Sequence, residues 1–355
     1  MFCERLLEER RISKVLNQDN GDWNRQREEI KELLQREVYG FRPGEPEEIS
    51  FTELPEEPYY NGFCAGKAPL KKIEIKGKFS GKEFAFPMYA VIPKNGKKLP
   101  FFIHISFRDN VPDRYMPTEE IIDNGFAVFS FCYEDVTADN NDFCDGIAGV
   151  LYRGERKESD CGKIAIWSWA ASRVMDYCRT LNCLDFSKAA VIGHSRLGKT
   201  ALLTGMLDER FKFVISNNSG CTGAALSRGK AGEQVERINS EFPFWFAPNY
   251  AKYEGREYEM PFDQHYLLAA CAPRYVYVGS AAEDIWSDPD SEYLACCAAS
   301  EVYESLGMSG FVHPDRLPVT GDVLQEGSIG YHLRFGGHYF SREDWKYYFA
   351  FIKAH

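Results

Sequence analysis

The run Ala189-Ala-Val-Ile-Gly-His-Ser-Arg-Leu-Gly-Lys-Thr-Ala-Leu-Leu203 constrains the fold more than any other stretch of the chain. An apolar segment of strand type ends in Gly193-His194-Ser195, and a helix-forming segment starts at once with Arg196. A serine at such a strand-to-helix corner has its hydroxyl pushed out at the top of a sheet, where it can enter acyl transfer through a serine ester. The generic corner has a small residue two places after the serine. Here that place is Leu197, and the glycine is Gly198.

The flanking segments predict the sheet that such a corner needs. Ile30, Leu33, Leu34 and Val38 recur at helical spacing among charges, so residues 24–38 read as an amphipathic helix that stops at Gly40. A loop rich in Pro and Glu is expected from there to Tyr60. Residues 71–76 and 83–92 read as an early hairpin, with Gly77 and Gly81 in turns. Short apolar runs at 99–106, 126–131, 213–216 and 274–279 read as buried strands, with a last one at 330–334. Helical runs at 164–181, 292–306 and 343–353 alternate with them. Strands alternating with helices predict a mostly parallel central sheet between helical layers, the α/β-hydrolase arrangement. Ligands then bind beyond the carboxyl ends of the strands. Residues 1–60 read as an N-terminal helical extension packed on a catalytic domain of residues 61–355.

Charge narrows the partners. With 42 basic and 53 acidic residues the net charge is -11, which does not attract nucleic acid or anionic lipid. The 11 cysteines are odd in number and several sit in apolar runs, which fits free core thiols better than a disulfide framework. No Cys-x-x-Cys pair recurs, so no metal or other cofactor is expected. The start, Met1 to Arg11, is too charged for a signal peptide, and no run reaches membrane-spanning length. The sequence as it stands reads as cytoplasmic, or as secreted or periplasmic if a signal had been removed. Aromatic residues make up 15 %, which a large core or a carbohydrate-facing cleft can absorb.

A serine nucleophile needs a base, and the base needs a group to orient it. In this fold class the chain order is Ser, then acid, then His. His338 sits in Arg334-Phe-Gly-Gly-His-Tyr-Phe340, a glycine-rich loop after the last expected strand, which is the place for the base. His104 and His332 lie in strands and read as structural, and His194, beside the serine, points elsewhere. The segment Asn217-Asn-Ser-Gly220 holds no carboxylate. The next strand end, Ser280 to Pro289, offers Glu283, Asp284 and Asp288, and position favours 283 or 284. Asp288-Pro289 reads as the start of the following helix.

Gly193-His-Ser-Arg-Leu-Gly-Lys199 resembles the Gly-Cys-Ser-Arg-x-Gly-Lys motif of the glucuronoyl esterases, carbohydrate esterase family 15. The likeness runs on through Ser219 to Gly223, Gly232 to Arg237, Phe242 to Phe246, Asp284-Ile-Trp-Ser-Asp-Pro289 and Gly336-Gly-His338. The resemblance implies cleavage of esters between 4-O-methyl-glucuronic acid on xylan and lignin alcohols. It implies Ser195 as nucleophile, His338 as base, Arg196 at the oxyanion, and Lys199, Glu233 and Trp286 on the sugar. Fungal members carry the acid where this chain has Asn218, and some bacterial members place it after the next strand. That pattern selects Asp284, with Glu283 as the alternate. His194 stands where the family usually has cysteine. An acetyl xylan esterase of the same fold, and a silent carbohydrate-binding protein on a hydrolase scaffold, are the rival readings. The expected partner is a uronic acid ester or an oligosaccharide.

Overall fold

The computed structural model describes residues 1–16, 22–55, 62–94, 97–152 and 154–355. Two helices open the chain, α1 (Phe2–Glu9) and α2 (Trp23–Leu34), and strands β1 (Glu48–Glu53), β2 (Leu70–Phe79), β3 (Lys82–Val91) and β4 (Leu99–Ser106) follow. Next come α3 (Thr118–Asp123), β5 (Ala127–Cys132), α4 (Tyr133–Val136), α5 (Gly146–Leu151) and α6 (Lys163–Cys178). The elbow joins β6 (Leu184–His194) to α7 (Arg196–Leu207), followed by β7 (Phe213–Asn217), α8 (Val235–Glu241) and α9 (His265–Ala269). The chain closes with β8 (Tyr275–Ala281), α10 (Pro289–Ser305), β9 (Val323–Leu324), β10 (Ile329–Arg334) and α11 (Arg342–Ala354).

Ten strands form one sheet in the order β1-β2-β3-β5-β4-β6-β7-β8-β10-β9. The six from β5 to β10 are parallel, and antiparallel strands flank them on both sides. Side chains alternate between the two faces of a strand. Phe102, Val128, Ile192, Ile215 and Tyr277 face α3 and α11. Phe101, Ile103, Val191, Val214 and Val278 face the larger layer that holds α6, α7 and α10. With both faces covered, the central strands are mostly apolar where they cross the core, which is why each read as a continuous run. The molecule is a three-layer α/β-hydrolase fold. Its aromatic side chains fill this core: Trp167, Trp169 and Trp345 are among the largest fully buried groups.

Two expectations change. The loop predicted up to Tyr60 contains β1, whose Ile49 and Phe51 face inward as it pairs with β2. Gly77 lies inside β2 rather than in a turn. A Cβ there would stand 2.3 Å from the Glu48 carbonyl oxygen, so glycine admits the close approach of β1. The division at 60/61 falls outside the described residues. The stop at Gly40 has its reason in a φ of +80° and in Cys161, whose Cα would lie 2.2 Å from an added Cβ.

Candidate active site

Parallel strands bring their carboxyl ends to one edge, and β6, β7, β8 and β10 are neighbours there. Ser195 directly follows β6. It holds φ 57° and ψ -127°, a strained conformation for a residue with a side chain. The corner is locked by hydrogen bonds: Ser195 N donates to Asn217 O at 2.8 Å, and Gly198 N donates to Ser195 O at 2.8 Å. Gly193 is required because a Cβ would sit 2.1 Å from the Leu197 carbonyl oxygen. The N-terminus of α7 lies beside the serine, and its first N–H groups and helix dipole favour negative charge.

His338 leaves the loop after β10, and Asp284 the turn after β8. Their Nδ1 and Oδ2 are 2.6 Å apart. Burial alone would raise the Asp284 carboxyl. Its contact with His338, hydrogen bonding from the Ser287 side chain and a hydrogen bond from Asn218 Nδ2 at 2.9 Å hold it down at about 2. Asn218 thus donates to the same carboxylate that His338 contacts. Glu283 is exposed, and its backbone N–H donates to Gly336 O at 2.9 Å. Ser195 and His338 share no hydrogen bond among the described residues. Such contacts are commonly loose before substrate arrives.

His194 packs against His338, with ring centroids 4.5 Å apart. Burial pushes its pKa down to about 3, so it is neutral, and its Nδ1 donates to Asn217 Oδ1 at 2.7 Å. Asn217 in turn donates to Tyr348 Oη at 2.8 Å. His104 and His332 are buried and bonded within the fold, to Ser130 and to Asp344.

Arg196 is held by a residue that sequence reasoning missed. Its Nη1 pairs with the Asp139 carboxylate, and its guanidinium lies over Trp245, 4.6 Å from the ring centre. Asp139 is half-buried and also accepts from Trp245 Nε1 at 2.6 Å and Tyr133 Oη at 2.9 Å. In sequence Asp139 is one polar residue in Thr137-Ala-Asp-Asn-Asn-Asp142, which signals only a turn. Lys199 is buried one helical turn after the serine and donates to the Ser219 carbonyl. Burial lowers its pKa, and the Glu233 charge opposes that shift. Glu233 is buried too, and its N–H donates to Trp286 O at 3.1 Å. The Trp286 side chain is half exposed. Together with Ile285, Phe335 and Tyr339 it forms an apolar set on the loops that carry Asp284 and His338. Among the described residues the one cluster with metal-ligand character lies elsewhere, at Cys3, Cys297 and His313.

Acyl transfer from an ester is the chemistry this arrangement can perform, and it sets the molecule among the carboxylic ester hydrolases of α/β-hydrolase fold. Residues 75–307 match the family model described as "Glucuronyl esterase, fungi". A carbohydrate esterase, MZ0003, from an unknown prokaryotic organism is 35% identical over 94% of this chain and 85% of its own length. The 4-O-methyl-glucuronoyl methylesterase of Podospora anserina is 25% identical, and the match covers 81% of this chain and 57% of the fungal one. A glucuronoyl esterase from Solibacter usitatus superposes with a TM-score of 0.88 at 33% identity, covering 97% of each chain. The chain belongs to the glucuronoyl esterase family.

Proposed function

We propose that this protein cleaves esters of glucuronic acid or its 4-O-methyl ether through a glucuronoyl-enzyme on Ser195. Ser195 Oγ attacks the uronate carbonyl while His338 takes the hydroxyl proton, and Asp284 orients and stabilises the imidazolium. Arg196 and the first N–H groups of α7 face the developing oxyanion. His338 returns the proton to the leaving alcohol. Water, deprotonated by the same histidine, then releases the uronate.

The observation that carries the substrate class is Lys199, a buried ammonium beside buried Glu233 and one turn from the nucleophile. A desolvated cation needs acceptors. Ser219 supplies one, and ring hydroxyls of a sugar supply the others. Trp286 offers an indole face and edge for the sugar at the rim. The exposed Ile285, Phe335 and Tyr339 suit an apolar or aromatic alcohol half. The eleven free thiols suit a reducing compartment, where the substrates would be short oligosaccharide esters.

The test is a hydrolysis panel of benzyl glucuronate, methyl galacturonate and acetylated xylo-oligosaccharides, with Lys199→Met beside wild type. Turnover of the glucuronate ester is expected, with a raised KM for the variant. Acetyl hydrolysis alone, untouched by Lys199→Met, would establish the acetyl esterase reading instead. Failure of a fluorophosphonate to label Ser195 would leave only sugar binding.

A further inference from the structure

A second chemically equipped site lies outside the ester-cleaving edge. Cys3 is on the first turn of α1, Cys297 in the middle of α10, and His313 in the segment that follows α10. These positions are far apart in sequence, so no spacing motif announces them. In the fold each offers one ligand atom, and the three atoms lie within 4.8 Å of one another. Cys3 Sγ stands 3.9 Å from His313 Nδ1. A tetrahedral zinc ion holds sulfur and nitrogen ligands roughly 3.5–3.8 Å from each other, given metal–ligand bonds of about 2.3 and 2.0 Å. Closing on an ion draws the outermost of these atoms together by about 1 Å and displaces the hydrogen bond that His313 Nδ1 accepts from Asp315 N at 3.2 Å.

Three further features organise the cluster. Asp315 accepts hydrogen bonds from Phe2 N at 2.8 Å and Cys3 N at 3.0 Å, which ties the start of α1 to the His313 loop. The His313 ring is stacked on Phe311, 5.3 Å between centroids, and meets Tyr293 edge-on, so its plane is set before any ligand arrives. A cavity of about 270 Å³ adjoins the cluster and is lined by Glu4, Glu8, Glu301, Glu304 and Asp315, with Lys14 and the Met1 ammonium as the opposing cations. A thiol–thiol–imidazole set suits a soft cation, and an acidic antechamber draws cations toward it. A disulfide between the two cysteines would need neither the oriented histidine nor the acidic lining.

We propose that Cys3, Cys297 and His313 bind one soft divalent cation, with zinc as the physiological class, and that water from the cavity completes the shell. Binding replaces the two thiol protons, which pass to solvent, and forms two metal–sulfur bonds and one metal–nitrogen bond without any redox change. The ion clamps α1 and the 313–316 loop to α10. Its consequence is stability of the N-terminal helix rather than ester chemistry.

The experiment uses the full chain, freed of metal by chelator dialysis under reductant and then offered zinc or cobalt(II). The expected result is one stoichiometric equivalent of zinc per chain and a sulfur-to-cobalt charge-transfer band in the near ultraviolet. Thermal unfolding should shift upward with zinc and return with chelator. Cys297→Ser and His313→Ala, checked for native circular dichroism, should lose the band and the shift while keeping wild-type turnover of benzyl glucuronate at low temperature. Zinc uptake unchanged in both variants, or no stoichiometric uptake by wild type, would overturn the proposal. A Cys3–Cys297 disulfide found by peptide mapping in protein that takes up no zinc would overturn it as well.

Discussion

In the proposed mechanism two carboxylates support the chemistry at Ser195, and each can be tested alone. Asp284 is ionised at about 2 because His338, Ser287 and Asn218 outweigh the effect of burial. Asp284→Asn keeps the shape but removes the charge that steadies a histidinium, so kcat should fall on the order of 10³–10⁴-fold. Glu283→Gln, at an exposed neighbour, should stay within about twofold. Equal losses in steady-state kinetics would show that the pair at 2.6 Å is not the working one. Asp139 acts at one remove. It holds Arg196 in place and is itself held by Trp245 and Tyr133. Asp139→Asn should lower kcat on the order of 10²-fold with little change in KM, since in the proposed mechanism the guanidinium it positions faces the oxyanion. A rise in KM at constant kcat would assign Arg196 to ground-state binding instead.

Elements decide which loops meet. Gly232 carries a φ of +66°, and a Cβ there would stand 2.4 Å from Ile285 O and 2.5 Å from Trp286 O. Glycine is what lets the segment before α8 lie against the turn before α10, which brings Glu233 beside Trp286. Gly232→Ala should therefore destabilise the fold by about 1–3 kcal/mol and raise KM for a glucuronate ester more than it lowers kcat. Urea unfolding and kinetics on the same preparation read both, and unchanged KM would detach Glu233 and Trp286 from the sugar. This scale also shows what was legible beforehand. The strands β4 to β8 announced themselves as apolar runs because helices cover both faces, and the elbow because its strand and helix abut. β1 did not, because an edge strand with charged outer residues looks like the loop around it. Nor was the choice between Glu283 and Asp284 legible from the residues themselves. Both lie beyond the end of β8, where alternation no longer says which side chain faces the site. The family resemblance settled on Asp284, and the turn geometry places that residue against His338. Asp139 and His313 had no local signal, since their partners lie across the fold.

At the scale of the whole molecule, carboxylates wholly or partly withdrawn from water shape stability against pH from two sides. Asp113, Asp145 and Asp208 feel burial, which raises them, but the contacts with Arg108, Lys163 and Arg210 lower all three. Their folded values lie below those of the unfolded chain. The stability they add is present above about pH 4 and is lost as pH falls through the folded values. Glu292 runs the other way. It is fully buried in α10, accepts from Gly220 N at 2.9 Å and Ser280 Oγ at 2.5 Å, and burial pushes it up to about 7. Between about pH 4.3, where an unfolded glutamate ionises, and the folded value the native state binds the extra proton, so stability falls as pH rises through that window. At about 1.4 kcal/mol per unit the loss is roughly 3–4 kcal/mol by pH 8. Glu292→Gln keeps an acceptor for Gly220 and a group to pair with Ser280, but it has no proton to release. Chemical denaturation at pH 5 and pH 8 should show wild type weaker at the higher pH and the variant closer to level. If the two proteins lost stability in parallel, the decline would have to come from groups other than Glu292.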